Sequence, residues 1–86
     1  MTGKDTIRSW LLEGKNAGAS YVIVACDTFD YEDYPVFVGP NDSFGAAISR
    51  ASTNMQRPME VYDLSLDFES QLNEYRAWHS PKTLSP

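Results

Sequence analysis

The stretch SYVIVACDTF at residues 20–29 limits what this chain can fold into more than any other feature. Val22, Ile23 and Val24 are consecutive and β-branched, and the run is apolar at both parities of a two-residue repeat. Such a segment favours a strand with two dry faces. It belongs in the middle of a sheet, because at an edge it would offer unpaired backbone groups and apolar side chains to other chains. With 86 residues in all, only a small sheet fits around it, so one domain is expected.

The other elements follow from periodicity and turn chemistry. Residues 5–14 predict a helix, capped by Asp5 or Thr6, with Ile7, Trp10 and Leu11 at helical spacing and Gly14 as its stop. Residues 15–18 read as its exit loop. A second strand, PVFVG at 35–39, follows a linker from Asp30 to Tyr34 that is short enough for a hairpin but lacks the glycine tight hairpins prefer. Gly39 to Ser43 form a turn that delivers a cap to a helix over 43–53. The narrow stripe of Phe44, Ala47, Ile48 and Ala51 lets that helix lie close to a sheet. After a polar loop at 53–58, residues 59–66 read as a third strand, with Met59 and Val61 on one face and Glu60 and Tyr62 on the other. Asp67 caps a helix over 68–79, with Phe68, Leu72 and Tyr75 on one stripe and Trp78 or His79 continuing it. Residues 80–86 contain two prolines and no core residue. The domain is therefore expected to span 1–79, with a flexible C-terminal tail at 80–86.

The order is α-β-β-α-β-α, which places the chain in the α+β class. Strands 1 and 2 form a hairpin. Placing strand 3 beside strand 1 gives a three-stranded antiparallel sheet of order 2-1-3, packed with short helices. This order centres the doubly apolar strand and puts Pro35 and Pro58 at the starts of edge strands, where a missing N–H is tolerated. Either helices then cover both faces, or one face meets a second copy in a homodimer.

Charge narrows the partners. Seven Lys and Arg stand against twelve Asp and Glu, a net −5. The basic residues are scattered, so direct nucleic-acid binding and membrane-surface binding are disfavoured. A single Cys excludes an internal disulfide framework and a multi-Cys zinc site. No apolar run approaches the ~18 residues a membrane helix needs. The start, MTGKDTIRSW, lacks the pattern of a secretion signal, and a cytoplasmic location is expected. Nothing calls for a cofactor.

Function candidates centre on CDTFDYEDYP at 26–35, where carboxylates alternate with aromatics at the end of the central strand. As a contact surface, Phe29, Tyr31 and Tyr34 would anchor a partner while Asp27, Asp30, Glu32 and Asp33 steer a basic one. The competing reading is a solvated hairpin tip whose aromatics pack back on the sheet. A cation site would use the same carboxylates, but the run does not match a calcium-loop pattern and has no glycine for the sharp turn, so no metal is expected. Acid–base chemistry would need Asp27 and His79 to meet, or Cys26 and His79 as nucleophile and base. Against this, a Cys in an apolar strand usually serves as a small hydrophobe. No G-x-G-x-x-G, phosphate-binding loop or G-x-S-x-G occurs, and a non-enzymatic role is favoured. The polar loop offers an alternative. Asn54 and Gln56 could read the edges of a base, and Arg57 with Arg50 could hold a phosphate, making the chain a sponge for a small nucleotide signal.

The segments GASYVIVACDTFDYEDYPVFV and NMQRPMEVYDLSLDFESQLNEYRAWH together resemble a family of small acidic proteins of bacteria and their phages. The likeness covers roughly residues 10 to 79. It implies a context but no catalytic residues. Small acidic α+β proteins of phages often inhibit host defence, by binding a protein or by sequestering a nucleotide signal. The resemblance thus implies a phage-type inhibitor of a host component, acting in the host cytoplasm.

Overall fold

The computed structural model describes residues 3–52 and 55–81. Its elements are α1 (Lys4–Asn16), β1 (Tyr21–Asp27), β2 (Glu32–Val38), α2 (Phe44–Ala51), β3 (Gln56–Asp63) and α3 (Phe68–Leu72). They form a three-stranded antiparallel sheet of order β2-β1-β3, as the two-sided hydrophobicity of β1 requires. Along β1, Val22 and Val24 enter one buried cluster and Ile23 and Ala25 the other. The first cluster packs under α1 and α3 through Ile7, Leu11 and Leu72. The second packs under α2 through Phe44, Ala47 and Ala51. Helices therefore lie on both faces. No helix among the described residues is long and apolar enough to cross a membrane.

Helix starts follow local chemistry at two of three sites. The Ser43 hydroxyl accepts the Ala46 N–H at 3.1 Å, and the Asp67 carboxylate accepts the Ser70 N–H at 2.8 Å. At α1 the expectation fails: Gly3 is the N-cap without a side-chain bond, and Asp5 sits in the first turn. There Asp5 accepts from Arg8 Nη1 at 2.6 Å, while Arg8 also grips both carboxylate oxygens of Glu69, at 2.6 and 2.8 Å, and ties α1 to α3.

Gly14 is not a stop. The helix runs on to Asn16, and Gly14 is buried inside it. A Cβ there would lie 3.0 Å from both a Val22 methyl carbon and the Phe37 ring, so glycine serves close helix–sheet approach. The stop belongs to Gly18, at φ +84. Its N–H donates to the Lys15 carbonyl at 3.1 Å, and the Ala19 N–H donates to the Gly14 carbonyl at 2.9 Å. This pair of bonds is a Schellman ending, which favours glycine at the left-handed position.

Three further boundaries differ from expectation. β2 covers 32–38 rather than 35–39, so Glu32, Asp33 and Tyr34 belong to the strand and not to the linker, and Pro35 and Pro58 lie inside the two edge strands rather than at their starts. β3 covers 56–63 rather than 59–66, and its register against β1 slips between Val24 and Ala25. The slip is a β-bulge that takes up Met59, one residue more than β1 offers. The bulge reverses the alternation, so Met59 joins Glu60 and Tyr62 along one cleft instead of siding with Val61. α3 ends at Leu72, not at residue 79. Arg76, at φ 59, turns the chain back. Ala77 is then fully buried, whereas Tyr75 is 88% exposed. The Val61 N–H donates to the Ala77 carbonyl and the His79 N–H donates to the Val61 carbonyl, both at 3.0 Å. Backbone satisfaction on the outer edge of β3 thus outweighs continuation of the helix. The tail expected at 80–86 falls largely outside the described residues.

Candidate binding surface

The hairpin between β1 and β2 is shaped by its own carboxylates. Asp27 Oδ1 accepts the Phe29 N–H at 2.8 Å, and the Tyr31 N–H donates to the Asp27 carbonyl at 2.6 Å. Asp30 Oδ1 accepts the Glu32 N–H at 3.2 Å. Tyr31 takes the left-handed conformation, φ 59, where a glycine would be expected. Aspartate side chains that bond the backbone two residues on are the means by which this loop turns without glycine. As a result, Phe29 is 74% and Tyr31 75% exposed. These two rings do not pack back on the sheet.

The loop does not act as one unit. Phe29, Asp30, Tyr31 and Glu32 are exposed at the tip. Asp27 is half-buried and holds the turn. Asp33 pairs with Cys26 on the α1–α3 side of the sheet, whereas Tyr34 faces α2 and its hydroxyl donates to Gln56 Oε1. The tip gains a neighbour that sequence reasoning missed. The Thr28 N–H donates to the Met55 carbonyl at 2.6 Å, docking the residue just before β3 against the tip. Met55, joined to the tip by this backbone bond, is itself 53% exposed. Nothing local in the sequence marks Met55 for this place, because strand pairing brings the two loops together.

Among the described residues, Gln56 and Arg57 of the nucleotide-binding set are split between the two faces of the sheet. Gln56 is engaged by Tyr34, and Arg57 pairs with Cys26, one residue along β3 and so on the opposite face. Arg50 lies in the last turn of α2, the helix that packs on the Ile23 and Ala25 face. Asn54 lies outside the described residues.

The acid–base candidates are also kept apart. Asp27 pairs with Gln56 at one end of β3, whereas His79 docks at Val61 further along it. His79 Nε2 lies 2.8 and 3.0 Å from the two carboxylate oxygens of Glu74, and its expected place at a helix C-terminus is not found. Burial, and then the hydrogen bond and charge of Asp33, push the Cys26 thiol up. Upward is the wrong direction for a nucleophilic thiolate.

The α1–α3 face carries a cleft of about 340 Å³, floored by Ile7, Val24 and Leu72. Glu60 reaches into it from β3 and Asp33 from β2. Burial pushes the Glu60 carboxyl up, and the hydrogen bond from the Tyr62 hydroxyl holds it partly down. Burial and the nearby Glu60 carboxylate raise the Tyr62 phenol well above its ordinary value. The signal for this site was present in M-E-V-Y, where the alternation turns a carboxylate to the same side as a core tyrosine. Among the described residues no group of three or more His, Cys, Asp or Glu side chains is placed to hold a metal ion.

Comparison of the chain with protein-family models, curated proteins and solved structures finds no match.

Proposed function

We propose that this chain is a non-enzymatic binding protein that holds a basic protein partner at its hairpin tip. The observation that carries the reading is the outward projection of Phe29 and Tyr31, each about three-quarters exposed, on a turn fixed by hydrogen bonds. Aromatic rings and methionine are enriched at protein interfaces, where rigid rings contribute most per residue. A fixed turn lowers the ordering cost of binding. Asp30 and Glu32 flank the rings and give the patch a sign, so it attracts cationic surfaces and repels acidic ones. The resemblance to small proteins of bacteria and their phages supports the class of partner: a host component, such as a defence protein, that is bound and kept inactive.

The test is co-purification from the native host followed by a binding titration with the captured protein. The variant Phe29→Ala/Tyr31→Ala, with an unchanged circular dichroism spectrum, is expected to lose about 2 kcal/mol or more of affinity. Binding unaffected by the double substitution would remove the tip as the contact surface.

A further inference from the structure

The cleft on the α1–α3 face is separate from the hairpin tip, and its charges are unevenly matched. Lys4 Nζ donates to Asn73 Oδ1 at 2.9 Å. Glu74 is paired with His79. Arg76 stands 5.6 Å from the centre of the Tyr75 ring. Glu60 and Asp33 remain, and among the described residues neither forms an ion pair. Glu60 sits opposite Val24, and Asp33 opposite Cys26, so the two carboxylates flank the end of β1 from its two neighbouring strands. Partly burying a carboxylate is unfavourable, and the hydrogen bond from Tyr62 and the charge of Arg76 offset only part of a cost to which burial and the neighbouring Asp33 both contribute.

The space between them has a definite chemistry. Its floor is apolar, its lining carries the carboxylates of Asp33, Glu60 and Glu74 against the cations Lys4 and Arg76, and its volume of about 340 Å³ is at the small end for ligand sites. A slender group with an apolar stem and a cationic head fits this description. A guanidinium suits it better than an ammonium, because it is more weakly hydrated and forks onto carboxylate oxygens. We infer that the cleft receives an arginine side chain of the basic partner, with its stem against Val24, Met59 and Leu72 and its guanidinium between Glu60 and Asp33. The source of that arginine rests on the proposed basic partner; the chemistry of the cleft does not.

The probe is N-acetyl-arginine-N-methylamide, titrated into the isotope-labelled full chain and read by amide chemical shifts around Asp33 and residues 59–62. Saturable shifts with a dissociation constant of about 1 mM are expected. The neutral citrulline analogue should bind at least about tenfold more weakly, and Glu60→Gln should weaken the arginine probe about tenfold. Should Glu60→Gln fail to fold, Asp33→Asn carries the same expectation. Three results would overturn the inference: no saturable shift at the cleft, equal binding of the citrulline analogue, or unchanged affinity in the folded variant. A free diamine such as putrescine binding more tightly than the probe would overturn the side-chain assignment. The probe carries one side chain and no protein surface, so it reads the cleft alone, whereas partner loss on Phe29→Ala/Tyr31→Ala reads the tip alone.

Discussion

The side-chain amide of Gln71 pairs with the backbone of Asp63 in both directions. The Asp63 N–H donates to Gln71 Oε1 at 2.8 Å, and Gln71 Nε2 donates to the Asp63 carbonyl at 2.9 Å. Gln71 is 1% exposed, and its amide also donates to the Asp67 carbonyl at 3.1 Å. One side chain thus acts as a short piece of strand against the end of β3 and fastens α3 to the sheet. Replacing it with Leu keeps the volume but strands backbone groups away from water. Gln71→Leu is expected to cost about 2 kcal/mol, read as a lower urea midpoint with an unchanged slope. A neutral or stabilising outcome would show that water reaches these groups.

Gly14 sets the distance between α1 and the sheet. Alanine would gain about 1 kcal/mol of helix propensity at an ordinary helical site. Here its Cβ meets Val22, which is fully buried and cannot give way, as well as the Phe37 ring. Overpacking of this kind costs about 1–3 kcal/mol. The net expectation is a loss of about 1 kcal/mol for Gly14→Ala and more for Gly14→Val, measured by thermal melts. A rise in melting temperature with Gly14→Ala would refute the close-approach account.

The raised carboxyl of Glu60 predicts a pH signature. Burial, the main cause, makes its neutral form the better one in the folded state, with Asp33 adding to the shift and Arg76 and Tyr62 opposing it. Its contribution to stability is therefore fully present below its ordinary value of 4.5 and is lost as pH rises through the higher folded value. Glu69, lowered chiefly by its hydrogen bond from Arg8, and Asp67, lowered by Ser70, work in the other direction, losing stability as pH falls. Comparing Glu60→Gln with the unsubstituted chain isolates the first effect. The variant should melt a few degrees higher at pH 7, and the gap should close as the pH is brought down to about 4. A gap that widens on acidification would contradict the assignment.

Salt dependence reads the tip. Asp30→Asn/Glu32→Lys keeps the oxygen that shapes the turn and leaves Asp33 in the cleft. The association rate with a basic partner is expected to fall about tenfold at low salt. The difference from the native chain should shrink at high ionic strength, where the charges are screened. An association rate insensitive to both salt and substitution would mean the carboxylates do not steer.

Much of this molecule is legible along the chain because β1 announces itself. Four successive residues, Val22 to Ala25, have to be buried on alternating sides, and that requirement selects a central strand and the 2-1-3 order but leaves open whether helices or a second copy cover the two faces. The turn at Gly39–Ser43 and the Asp67 cap are equally local. Contacts distant in sequence decided the rest. Gly14 looks like a helix stop until Val22 and Phe37 are seen beneath it. The helix expected through His79 gives way because the outer edge of β3 needs hydrogen bonds, which residues 77 and 79 supply. Met55 reaches the tip only through pairing across the sheet, and a single bulged residue moves Met59 into the cleft with Glu60. Periodicity records which side chains must leave water. Which groups then meet depends on register and edge satisfaction, and these are properties of strands already side by side.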